Sequence, residues 1–365
     1  MSKFISSLAL AHVLSFVSAE EETMVEKKPI EVSSDNIMVR AFTLQDFQME
    51  IVLSITFLLF TLVWYQGKSN NMKKAKSWLG TQVEYLHSQF TLVGDGKSLL
   101  IKDGPADYLL YVSGRRHVQF GHWWLKLKPR NDLLTYFTTQ VLAMMGQVKP
   151  AADRVTLKLV LERALPERFV FAVMNKSESS ELVKKRFDLN RVAKLGSSKA
   201  IPNSLTVYTE SQKLADLILS TTRIGEIITS AADRLESLVV SSLPSEEPSK
   251  YENDGPLTIS LSFLMSSDKT LDPLVELACE LPDVISELKL TADIRNQVSK
   301  NRDQLRKEYA KIIAAERAEE LAKKKAEAKK AEAEKIKKMS PSEQRKYEEK
   351  ERLRQLKKQQ KKKKV

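Results

Sequence analysis

Residues 257–263 read Leu257-Thr258-Ile259-Ser260-Leu261-Ser262-Phe263, a large apolar residue alternating with a hydroxyl one throughout. Successive side chains point to opposite faces of a strand, so this stretch predicts a half-buried β-strand. Val155, Leu157, Leu159 and Leu161 alternate with Thr156 and Lys158 and predict a second. The runs 108–112 and 169–174 are apolar on both faces, which suggests interior strands, so at least four are expected. Helices are expected where apolar residues recur at three and four. Ile224, Ile227, Ile228, Ala231, Leu235, Leu238 and Val239 form one such stripe; Leu274, Leu277, Ala278, Leu281, Ile285 and Leu288 form another. Residues 241–256 between them, rich in Ser, Pro and acids, read as an exposed loop. The expected fold class is α+β, with a mixed α/β domain over residues 72–292. Its core-building stripes end near Leu290, so residues 72–292 are expected to fold alone.

Upstream, no charge occurs between Glu50 and Lys68, and residues 51–67 contain Leu53, Ile55, Phe57, Leu58, Leu59, Phe60, Leu62 and Val63. As a helix these residues reach about 25 Å, enough to cross a thin bilayer. Trp64 and Tyr65, then Lys68, Lys73, Lys74 and Lys76, have the order of an aromatic belt and a cytosolic flank. The alternative is a buried core helix. The N-terminus carries Lys3, an uncharged stretch, and Val17-Ser18-Ala19 before Glu20, Glu21 and Glu22, the pattern of a signal peptide over residues 1–19. Residues 20–50 hold eight acids and three bases, so they are expected to be a short luminal segment. The expected topology is single-pass type I, with a luminal N-terminus and a cytosolic C-terminus.

Charge is distributed unevenly. Residues 300–365 hold 25 Lys plus Arg against 12 Asp plus Glu, whereas the whole chain has a net charge of +12, so everything before this tail is near neutral. From residue 297 the chain turns to Ala, Glu, Lys and Arg without a glycine, and Glu319 with Lys323, Glu320 with Lys324, and Glu334 with Lys338 stand in the favourable i, i+4 order. Residues 297–365 are therefore expected to be a basic helical tail. Ser340-Pro341-Ser342-Glu343 reads as a helix restart. Leu305, Tyr309 and Ile312 fit coiled-coil spacing, but Glu316, Glu319 and Lys323 occupy its continuation. Lys323, Lys324, Lys325, Lys329, Lys330, Lys337, Lys338, Arg345, Lys346, Lys357, Lys358, Lys361, Lys362, Lys363 and Lys364 are candidate contacts to nucleic-acid phosphates, an interaction that needs no base readout. Anionic lipid headgroups are the alternative partner. Lys362 and Lys363 also stand fourth and third from the end, as in a dilysine retrieval signal for the endoplasmic reticulum.

Catalytic and metal chemistry find little support. Gly94-Asp95-Gly96-Lys97-Ser98 lacks the upstream glycine of a phosphate-binding loop, Thr91 standing there, and reads as a hairpin turn. His117 and His122 are five apart, an unusual zinc spacing, and Cys279 is the only cysteine. Trp123 and Trp124 beside Phe120 read as strand core. No enzyme and no cofactor are expected.

Signal peptide, acidic N-terminal segment, single span, mixed domain and a basic tail with Lys338-Met339-Ser340-Pro341-Ser342-Glu343-Gln344-Arg345-Lys346 together resemble the calumin family, the coiled-coil subunit of the PAT complex. Residues 90–94 and 108–116 also look like that family. The resemblance implies a ribosome-associated factor at a Sec61-type translocon. Its expected partners are an Asterix-like small membrane protein, the ribosome through rRNA phosphates, and nascent multipass membrane proteins. Animal members carry a long acidic luminal region linked to calcium binding, of which only residues 20–50 have a counterpart here. A membrane-anchored scaffold and a calcium-homeostasis protein are the alternative functions.

Overall fold

A continuous helix, α1 (Gln48–Gln89), opens the computed structural model, which describes residues 47–337 except 222, 252, 267 and 269, and then 345, 346, 349, 350, 352, 353, 356, 357 and 360. The expected signal peptide and the helix restart at Ser340 lie outside these residues. The chain divides between Leu58 and Leu59. In the first unit the described residues are Phe47 and the start of α1, all exposed; the second holds the fold described below.

Ten antiparallel strands form one sheet: β1 (Leu92–Val93), β2 (Ile101–Lys102), β3 (Asp107–Ser113), β4 (Val118–Lys126), β5 (Arg154–Leu161), β6 (Val170–Asn175), β7 (Lys194–Gly196), β8 (Leu205–Thr209), β9 (Leu235–Ser241) and β10 (Thr258–Leu264). Their order is β1-β3-β4-β5-β10-β9-β6-β8-β7, and β2 pairs with β3 beside β1. The two clearest sequence strands are central neighbours, with Ile259 opposite Leu159 and Leu261 opposite Leu157. The helices between strands are α2 (Leu133–Met144), α3 (Lys176–Lys185), α4 (Phe187–Val192), α5 (Gln212–Thr221) and α6 (Ile224–Ser230); α7 (Pro273–Glu287) and α8 (Ala292–Lys337) follow the last strand.

One face of the sheet carries the larger core. Tyr108, Leu110, Trp123, Leu157, Phe171, Leu238 and Phe263 meet Trp78 and Leu79 of α1, Leu214 and Ile218 of α5, Ile228 of α6, and Leu277 and Leu281 of α7. A smaller cluster on the other face joins Val170, Ala172, Met174 and Val239 to Phe187 and Leu189 of α4 and to Leu305 and Tyr309 of α8. β6 is buried on both faces, as its continuous apolar run requires, whereas β3 alternates: Tyr108, Leu110 and Val112 are buried and Leu109 and Tyr111 are not.

Several expectations change. The stripe from Ile224 to Val239 is not one helix: α6 ends at Ser230, and Leu235 begins β9 between β10 and β6. Both faces of β9 are largely buried, so its apolar residues crowd together and mimic helical spacing. The loop at 241–256 is not wholly exposed, since Ser242, Leu243 and Tyr251 are buried. The core does not end near Leu290: Ile294, Val298, Leu305 and Tyr309 of α8 are all buried. The turn at 94–98 exists, with Gly94 at φ 89°, but β1 and β2 both pair with β3 and not with each other. A Cβ on Gly94 would also lie 2.7 Å from the Ser98 carbonyl, so glycine is required there on both counts.

Candidate functional site

α1 changes character at one residue. Every described residue from Phe47 to Leu62 is exposed, including Leu53, Phe57, Leu58 and Leu59, which are 56 to 72% exposed. From Gly67 the helix buries Asn71, Ala75, Trp78, Leu79, Gln82 and Leu86, spaced at three and four. Among the described residues α1 is the one helix long and apolar enough to cross a membrane. The Lys68 ammonium lies 4.7 Å from the Trp64 ring centre at the end of the apolar half, where a charge can hold an aromatic side chain.

The root of α1 is polar and closely fitted. A Cβ on Gly67 would lie 2.2 Å from the Arg130 carbonyl oxygen, so only glycine lets the two backbones approach. Asn71 Nδ2 donates to the carbonyls of Pro105 (3.3 Å) and Lys128 (3.1 Å). Asp153 receives both guanidinium nitrogens of Arg130, at 2.8 and 2.9 Å, the Lys128 N–H at 2.9 Å, and the Lys74 ammonium. Burial alone would raise the Asp153 pKa, but Arg130, Lys74 and the Lys128 N–H outweigh it and hold the carboxyl well below the usual carboxylate range. At the other end of α1, Arg115 donates to Gln89 and pairs with Asp283 of α7 at 2.6 Å. Part of the family-like stretch at 108–116 is thus a clamp between two helices.

α8 is rooted by its first five turns. Ile294, Val298, Arg302, Leu305 and Tyr309, spaced four, four, three and four, form its buried stripe. Ile294 and Val298 belong to the larger core and Leu305 and Tyr309 to the smaller, so Arg302 lies where the helix passes from one face to the other. Its guanidinium meets Glu210 at 2.6 and 3.2 Å, Asp254 at 2.7 Å and the Ser242 hydroxyl at 3.3 Å. Asn301 donates to Glu210 at 2.8 Å, and Tyr251 donates to Asp254. Burial pushes the Glu210 carboxyl up against the pull of Arg302 and Asn301, and pushes the Tyr251 hydroxyl up with the help of Asp254. Burial acts against the Arg302 charge, but Glu210 and Asp254 hold its pKa above the ordinary value.

Beyond this root every described side chain from Ala314 to Glu334 is exposed. Lys323, Lys324, Lys325 and Lys330 are among them, and the backbone at Lys329 and Lys337 is helical. Lys323 pairs with Glu319 at 2.8 Å and Lys324 with Glu320 at 2.7 Å, as the spacing predicts. Pairs this exposed are worth little. Arg345, Lys346 and Lys357 are helical and exposed; Lys338, Lys358 and Lys361 to Lys364 lie outside the described residues. The described histidines do not converge: His87 is on α1, His117 in the turn before β4 and His122 on β4, and no group of three metal-ligating side chains exists among the described residues.

A family model described as PAT complex subunit CCDC47 matches residues 46–358, from the start of α1 deep into the tail. The chain belongs to this family. Among curated CCDC47 proteins, the Danio rerio one is 28% identical over 75% of this chain and 60% of its own length, and the human one 26% identical over 75% and 61%. The endoplasmic reticulum membrane protein C2G5.01 of Schizosaccharomyces pombe is 30% identical over 56% of this chain and 57% of its own. The chain therefore spans about three-fifths of the length of these relatives. Within the CCDC47 frame, sequence reasoning found the basic stretch and the apolar half of α1, and missed both roots. Arg302 and Asp153 look like ordinary surface charges in the sequence; the signal available was the three-and-four stripe from Ile294 to Tyr309.

Proposed function

We propose that this chain is a single-pass protein of the endoplasmic reticulum membrane, N-terminus luminal and C-terminus cytosolic, and the ribosome-associated subunit of a PAT-type complex. Its role is non-enzymatic: it assists insertion and folding of multipass membrane proteins beside a Sec61-type translocon, together with an Asterix-like small membrane protein. One observation carries the reading. Two long helices suited to different surroundings, apolar α1 and basic α8, are both rooted in the same core by buried polar networks. Such a body ties an apolar anchor to a polycation, and the phosphates of rRNA are a polyanion that such a cation binds without reading bases. The names of the CCDC47 relatives and of the fission yeast membrane protein support the same location and assembly.

Affinity purification of the full chain from membranes in mild detergent tests this. The expected co-purifying species are rRNA, ribosomal proteins and a small multipass membrane partner; recovery of lipid alone would favour the lipid scaffold instead. Orientation has its own test. Asn175 is a sequon, with Ser177 two residues on, but N-caps α3 in the proposed cytosolic body, so it stays unglycosylated whereas a sequon introduced near Val32 is used. A glycan on Asn175 would reverse the orientation.

A further inference from the structure

α2 carries its apolar stripe outward. Residues 133–148 contain no charged side chain. At about 100° per residue, Leu133, Leu134, Phe137, Val141 and Met144 fall on one side of the helix, and they are 48, 72, 50, 39 and 82% exposed. Thr139, Leu142 and Ala143, the half-buried residues, lie on the other side, and α2 has no fully buried residue. A helix that packs on a core through its apolar face shows the reverse arrangement. A contiguous exposed apolar stripe on a helix is a candidate surface for a lipid or protein contact.

The position of α2 indicates what that is. Its N-cap, Asp132, follows Arg130 by two residues, and Arg130 is the residue whose carbonyl abuts Gly67. Gly67 is where α1 passes from its exposed apolar half into the body. α2 therefore starts beside the end of the apolar half of α1. Twelve residues reach only about 18 Å, too short to cross a hydrocarbon core of about 30 Å.

We infer that α2 lies in the plane of the membrane interface with Leu133, Leu134, Phe137, Val141 and Met144 in the acyl boundary, a second lipid contact of the body. The inference rests on the reading that α1 spans the membrane. The polar residues of α2 are Thr135, Thr138, Thr139 and Gln140, without Lys or Arg, so the attraction comes from apolar area and not from anionic headgroups. That separates it from the basic tail. Two lipid contacts restrict the tilt of the body against the membrane plane.

The test uses the full chain carrying Cys279→Ala, reconstituted in phosphatidylcholine vesicles. Phe137→Cys, Met144→Cys, Thr135→Cys and Leu59→Cys are each labelled with NBD and quenched by lipid bearing a nitroxide high on the acyl chain. Labels at positions 137 and 144 should be quenched at least about twofold more than the label at 135, without anionic lipid. The difference should persist in about 0.5 M NaCl, where surface electrostatics are screened. The triple variant Leu134→Gln/Phe137→Gln/Val141→Gln should keep the melting temperature of the body, those side chains being exposed, while the label at 144 loses its quenching. If position 59 is quenched and positions 135, 137 and 144 all remain at solvent level, the interfacial helix is overturned and the span stands. If position 59 is unquenched too, both fall. Quenching at 137 and 144 that requires anionic lipid also overturns the proposal.

Discussion

At the residue scale, two charged side chains hold the two long helices, and each has a measurable signature. Arg302 and Glu210 are both almost fully buried, so Arg302→Met leaves the Glu210 and Asp254 carboxylates without their cation inside the protein and should cost roughly 3–5 kcal/mol. Adding Glu210→Gln should restore much of that loss in a thermal melt; equal melting temperatures for the single and double variants would show that Glu210 is not the partner that matters. Asp153 gives a pH signature. Its pKa is depressed in the folded chain, so its stabilising effect is complete above the ordinary value near 3.9 and is lost as the pH falls toward the folded value. Asp153→Asn should therefore lower stability at neutral pH by roughly 1.5–3 kcal/mol and flatten the acid limb of the stability curve. An unchanged acid limb would place that sensitivity on other carboxylates. Neither residue was legible as functional in the sequence. Arg302 stands in Lys300-Asn301-Arg302-Asp303, a run that by charge alone belongs with the solvated tail.

At the element scale, the strands with strict alternation, β5 and β10, were readable because each has one face on the core and one that is only partly covered. β9 was not, since burial on both faces removes the alternation that marks a strand. The continuity of α8 was readable from its composition, but not its function as a core element, because its buried stripe occupies only the first five turns of a 46-residue helix. Ile294, Val298 and Leu305 contribute about 1.5–3 kcal/mol each, a sum comparable to the roughly 5–15 kcal/mol that stabilises a whole domain. A fragment of residues 68–313 should therefore melt cooperatively, and one of residues 68–292 should be molten or aggregate. A cooperative melt of the shorter fragment at the same temperature would show that the packing of α8 adds nothing to the fold.

At the scale of the whole molecule, the charge map and the apolar stretch at 51–67 were legible because each is a property of a long run of residues. What joins them was not, since Gly67 against Arg130 and Arg302 against Glu210 are contacts between residues 63 and 92 positions apart in the chain. In the proposed function a basic helix meets a polyanion while its root stays fixed in a membrane-anchored body. Replacing Lys337, Lys338, Lys357, Lys358 and Lys361 to Lys364 with Gln keeps helix propensity nearly constant and removes charge alone. The decisive measurement is the affinity of the full chain for purified ribosomes across a salt series, wild type against this variant. If the tail neutralises rRNA phosphates, the variant binds more weakly and its plot of log affinity against log salt is flatter, because fewer counterions are released. Full affinity with an unchanged slope would contradict the account and move the ribosome contact elsewhere.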